Sequence, residues 1–170
     1  MGRIMSKRLF SIEFHKKEID GKFEYVGSVS LQDLIQNGDK RNSLNKQIKK
    51  ATEDYREFVQ KCERIIGKIK KAGSLNQTSL KNMWDLGDQI HRFNNALKRD
   101  GFYLNGLYEH LVRDLQVSHN LLEKVIIFRS YFPNSKLIPN DMVWKEVRYA
   151  PRKNAEELRK KLLRNKLSKK

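Results

Sequence analysis

With 170 residues, the chain has room for one domain, or one domain and an appendage, with a real core. Its 38% apolar content suffices for globular folding, while 33% charged residues make the surface strongly ionic. Thirty-six Lys and Arg against 20 Asp and Glu leave a net charge of +16, which argues against a neutral, partnerless surface and for an anionic partner: nucleic acid first, anionic membrane second.

The opening "MGRIMSKRLF" lacks the apolar core of a signal peptide. No segment approaches the ~20 apolar residues of a membrane span, so a cytoplasmic protein without a spanning segment is expected. Leu9, Ile12, Phe14, Phe23, Tyr25 and Val29 surround Asp20-Gly21, a turn signal that predicts a β-hairpin. A lone hairpin is marginal in water and must pack on a helix or pair with another chain. Ser30 is placed to cap a short helix, "SLQDLIQN", that Asn37-Gly38 ends. Residues 1–38 thus read as a hairpin with a short helix.

From Ser43 the period becomes helical. Leu44, Ile48, Ala51, Tyr55, Phe58, Cys62, Ile65 and Ile69 form the seam of a long amphipathic helix closed by Gly73. Its outer face carries many Lys and Arg among several acids, which reads as a solvated or coiled-coil pairing surface. Cys62, the single cysteine, rules out an intrachain disulfide framework and fits a reducing compartment, packing as a small hydrophobe. Thr78 or Ser79 starts a second helix through Leu80, Met83, Trp84, Gly87, Ile90 and Leu97. Gly87 there marks a close helix crossing, and "RDGFYLNG" breaks the chain.

Residues 107–132 carry the functional signal within a helical domain at 39–150. Leu107, Leu111 and Leu115 give a supporting helix, Val117 is placed to fill a corner, and Ser118 caps a second helix held by Leu121, Leu122, Val125, Ile126 and Phe128. This is the spacing of a helix-turn-helix. His119, Asn120, Glu123, Lys124, Ile127 and Arg129 then point outward. Asn suits adenine, and Lys and Arg suit guanine or phosphate. Ser118 and His119 sit at a helix start that favours phosphate, and Arg113 would face the DNA backbone. A plain helical hairpin has the same periodicity.

After Pro133 a loop leads to a short helix anchored by Trp144. The last stretch, 151–170, reads as a basic helix or tail: nine Lys or Arg and two Glu lie between Arg152 and Lys170. Asn154 with Glu157 resembles a capping-box start. Arg152, Lys153, Arg159 and Lys160 are expected on phosphates. Leu158, Leu162, Leu163 and Leu167 give only a modest apolar face for a membrane surface.

"MWDLGDQI", "LYEHLVRDLQVSHNLLEKVIIFRSYFPN" and "LIPNDMVWKEVRYAP" together resemble the helical N-terminal domain that precedes a PD-(D/E)xK nuclease domain in a family of bacterial proteins. The matching positions are Trp84 and Gly87, then Leu111, Asp114, Leu115 and Ser118, then Phe128 and Phe132-Pro133, then Trp144, within about residues 79–150. The resemblance implies a helix-turn-helix module with mobile-element or defence functions. The chain departs from it by the N-terminal hairpin, by Gln116 where the pattern has Gly, and by lacking a nuclease domain, which puts cleavage in doubt.

Nothing in the sequence favours catalysis. The only acid-x-Lys triplet, Asp20-Gly21-Lys22, belongs to the hairpin turn. His15, His91, His110 and His119 show no metal-ligand spacing, so neither metal nor cofactor is expected. Glu109, His110 and Asp114 read as solvated polar residues. The expectation is therefore a mainly α, non-catalytic protein that binds double-stranded DNA, with a possible homodimer built on the hairpin or the long helix. The rival is a protein-interaction or RNA-binding subunit of a larger nucleoprotein assembly, although no aromatic–basic RNA signature occurs.

Overall fold

The computed structural model describes residues 9–30, 32–34 and 41–168. The Asn37-Gly38 stop lies outside the described residues; residues 32–34 are helical, with the Ser30 hydroxyl accepting from the Asp33 amide at 3.4 Å. The chain is mainly helical, with one small sheet.

Strands β1 (Phe10–Ile19) and β2 (Lys22–Val29) pair antiparallel around Asp20-Gly21. Both turn residues have positive φ, 52° and 73°, as a type I′ hairpin turn requires. The hairpin is only part of the sheet. A short β3 (Phe102–Leu104) pairs parallel with Phe10–Ile12, giving the order β2-β1-β3. "RDGFYLNG" is thus not a mere break: Phe102 and Leu104 point into the core, Tyr103 points out, and Gly101 and Gly106, both at positive φ, turn the chain in and out.

Helix α1 (Arg41–Lys71) carries the seam read from the sequence, and lies against β2 and against α2 (Leu80–Arg99). Val59 and Ile66 join the buried face, while Ile48 and Ile65 are only partly covered. Ser79 caps α2 by accepting from the Asn82 amide at 3.2 Å. On α2, Phe93 turns towards α1, stacking on Phe58 with ring centres 4.4 Å apart. Gly87 lies about 120° round the helix from Phe93 and faces α4 (His119–Tyr131), reached from α2 through α3 (Leu107–Leu115). A Cβ at Gly87 would stand 2.5 Å from the Val125 carbonyl oxygen and 2.9 Å from the Arg129 Cβ. The crossing read from the sequence is therefore real, and it sets how closely α2 and α4 approach.

Beyond α4, Trp144 is buried edge-on to Phe128 at the start of a single turn, α5 (Lys145–Arg148), and α6 (Pro151–Leu167) packs along α4 through Ala155 and Leu158. The Asn154 capping box does not form. Pro151 occupies the first turn instead, where its fixed φ suits a helix start and its missing N–H is no loss. The Asn154 side-chain Nδ2 donates to the Glu146 carbonyl at 3.3 Å. Hairpin, helices and C-terminal helix share one core, from Ile12 and Phe14 to Leu158.

Two substitutions probe the helix geometry. Gly87→Ala gains ~1 kcal/mol of helix propensity, yet its methyl meets backbone, so urea melts should show a net loss of about 1–3 kcal/mol. Gln116 sits at φ 54°, ψ 44° where α3 ends, a left-handed position that costs a side-chain-bearing residue about 1–2 kcal/mol. Gln116→Gly should raise the thermal midpoint by about 2–4 °C.

Candidate nucleic-acid interface

The corner between α3 and α4 is built largely as its residues foretell. Gln116 turns the chain, Val117 packs partly buried against the core, and the Ser118 hydroxyl caps α4 by accepting from the Leu121 amide at 3.2 Å. On α4, Leu122, Val125 and Phe128 hold the inner face. His119, Asn120, Glu123 and Ser130 lie exposed on the opposite face, with half-buried Lys124 beside them. The His119 ring leans on Tyr108, centroids 4.6 Å apart. The corner therefore brings Ser118, His119, Asn120 and Lys124 together at its open end.

Arg129 does not belong to that group. Its side chain is only 16% exposed, its Nε donates to the Asp88 carboxylate at 2.8 Å, and its guanidinium lies over the Trp84 ring at 5.5 Å. Arg92 donates to the other Asp88 oxygen at 2.6 Å, so one buried acid on α2 is closed by two arginines. The outward position read for Arg129 is overturned because its partner lies 41 residues away, beyond any local pattern.

Arg113 is also engaged. Its guanidinium donates to both Asp114 oxygens, at 2.7 and 2.9 Å, and to the Phe14 carbonyl at 2.7 Å, leaving the side chain about half exposed. Tyr55 donates its hydroxyl to the same carboxylate at 2.5 Å. Burial opposes ionisation of Asp114, but the hydrogen bonds from Arg113 and Tyr55 outweigh it and hold the carboxyl below its ordinary range. Next to it, the Phe14 amide donates to His110 Nε2 at 3.2 Å, and His110 Nδ1 lies 3.1 Å from the Gly106 carbonyl, which fixes the ring with its proton on Nδ1. His110 and Asp114 are thus not solvated polar residues. They clamp β1 onto α3 and α1.

The C-terminal helix presents the opposite character. Ala155, Leu158 and Leu162 face inward, whereas Arg152, Lys153, Arg159, Lys160, Lys161, Arg164 and Lys166 are all exposed. Among the described residues, only Lys160 of these seven has an ion pair, to Glu156 at 2.7 Å. Lys161, Arg164 and Lys166 extend the cationic surface expected from Arg152, Lys153, Arg159 and Lys160, and their position beyond the first basic pairs was the available signal. Cys62 is fully buried, and burial pushes its thiol up to about 12. Among the described residues no group of three or more His, Cys, Asp or Glu gathers as metal ligands would, and no helix is long and apolar enough to cross a membrane.

No known protein family, curated protein or solved structure matches this chain.

Arg129 serves as a test of this partition between structural and exposed cations. Arg129→Met should cost about 2–3 kcal/mol, since it leaves Asp88 buried with a single partner. A denaturation curve superimposable on the parent's would return Arg129 to the surface group.

Proposed function

We propose that this chain is a non-catalytic DNA-binding protein that works in the cytoplasm without a cofactor. The observation that carries the reading is the surface of α6, where seven exposed cations stand against two glutamates on a helix that packs on α4. In this reading α3 and α4 act as a helix-turn-helix. Asn120 and Lys124 approach base edges, Ser118 and His119 lie against a phosphate at the start of α4, and Arg152, Lys153, Arg159, Lys160, Lys161 and Arg164 follow the backbone. Arg113 and Arg129 keep the corner in place and touch no base. Glu123, on the same open strip, repels phosphate and disfavours backbone approach between Asn120 and Lys124. Backbone contacts then dominate affinity, and sequence preference rests on few side chains.

The resemblance of residues 79–150 to the helical domain that accompanies PD-(D/E)xK nucleases fits this reading and suggests a regulatory role in mobile-element or defence systems. A two-fold homodimer would double the contact with paired half-sites.

Binding to a random-sequence duplex, measured across salt concentrations, tests the proposal. The log–log slope should be steep, at about −0.9 per phosphate neutralised. Replacing Arg159, Lys161 and Arg164 together by Ala should flatten it by about 2–3. A slope near zero for the parent protein would overturn DNA binding.

A further inference from the structure

The long helix α1 carries a second cationic surface. At 100° per residue, Lys46, Lys49, Arg56, Arg64, Lys68 and Lys71 fall along the crest opposite its buried seam. All six are exposed, and among the described residues none of them is in an ion pair. Asp54 is taken by Lys50 at 2.9 Å and Glu63 lies to the side, while Glu53 and Glu57 lie on the crest, Glu57 with Lys61 at 3.8 Å, so six cations there face two acids. From Lys46 to Lys71 the crest runs for about 38 Å. Lysines in the last turn complement the helix dipole, which accounts for Lys68 and Lys71 but not for Lys46, Lys49, Arg56 or Arg64.

Gly67 adds a second observation. It sits on the same crest between Arg64 and Lys68, and a Cβ there would meet nothing within 4 Å. Glycine weakens a helix interior relative to alanine, and here no neighbour within the fold requires it. The missing side chain leaves a flat step where an external backbone can approach.

The position of this crest matters more than its charge. On α2, Phe93 faces α1 while Gly87, Trp84 and Asp88 face α4, and α6 packs on α4 in turn. The crest of α1 and the outer face of α6 thus have two helices between them, and three packed pairs at ~8–10 Å each set an upper limit of about 24–30 Å on the spacing of their axes. One duplex lying on α6 does not cover the crest.

We infer that α1 is a second duplex-binding surface and that one molecule bridges two segments of double-stranded DNA, one on α1 and one on α6. This rests on the DNA-binding reading above and adds its stoichiometry.

A capture assay decides it. A bead-bound duplex is incubated with the full chain, and a second, fluorescent duplex is then added. The parent should retain the fluorescent duplex. Lys49→Glu, Arg56→Glu and Arg64→Glu combined should reduce retention at least about tenfold, while affinity for a single duplex falls no more than about threefold and the helical circular dichroism is unchanged. The matching reversal on α6, at Arg159, Lys161 and Arg164, should abolish bridging in the same way, with α1 still holding one duplex. If the α1 variant bridges as the parent does, the second surface is refuted and the DNA-binding reading stands. If the parent binds no duplex, both fall. If the crest retains RNA at least about tenfold better than duplex DNA, the partner assigned to it is wrong.

Discussion

The close crossing at Gly87 is the constraint from which the rest of the helical arrangement follows. With no side chain there, the backbone of α4 comes against α2, and the Cβ of Arg129 lies almost on the glycine. That proximity leaves Arg129 one direction to take, across the face of Trp84 to Asp88. Trp84 in turn donates its indole N–H to the Phe132 carbonyl at 2.8 Å and so fixes the end of α4. The first half of α4 is left open because the crossing lies at Val125 and Arg129, and that half is where the candidate base contacts gather. A larger residue at 87 would move α4 outward and, with it, the α6 helix that packs along it.

A second point of closure lies where the hairpin meets α1 and α3. Phe14 stacks on Tyr55 with ring centres 4.2 Å apart, and the polar atoms of its backbone are taken on both sides, the amide by His110 and the carbonyl by Arg113. Tyr55 and Arg113 meet on Asp114. A buried acid with a single partner would be costly, but here three donors reach the two oxygens of Asp114, so the network orients three elements at once. The hairpin is held where it crosses α1. A Cβ on Gly27 would come 2.4 Å from the Thr52 hydroxyl, which shows how tightly β2 lies on that helix.

Much of this was legible because it is local. The apolar period of α1, the Asp20-Gly21 turn, the Ser79 and Ser118 caps and the glycine at 87 each declare themselves within a few residues. What escaped depends on partners far along the chain. β3 is three residues long and becomes a strand only because β1, about 90 residues earlier in sequence, offers it an edge. His110 and Asp114 read as solvated from their polarity alone, and are covered where the hairpin packs against them. The direction of Arg129 needed Asp88, whose own burial is a consequence of the crossing. The start of α6 was misplaced by a simpler competition: a proline three residues ahead of Asn154 begins the helix without any side-chain cap. For the site, the basic C-terminal helix was plain from composition, whereas the cationic crest of α1 was hidden by the acids interleaved with its cations along the sequence.

A net charge of +16 on a compact chain raises the question of how the fold tolerates it. Its acids are not distributed evenly among its cations. Asp88 and Asp114, the best buried, are joined to Arg92, Arg129 and Arg113, so those arginines contribute little field outside the protein. The surplus is left to the crest of α1 and the outer face of α6. Two packed helices separate these surfaces by more than the ~8–10 Å over which salt screens charge, so neither feels much of the other's repulsion. Along each surface repulsion is local, with only two acids on each to relieve it. Placing the excess on two ridges therefore protects the core while leaving each ridge in want of an external anion, and a polymer with charge spaced every few ångströms relieves a ridge better than separate ions can.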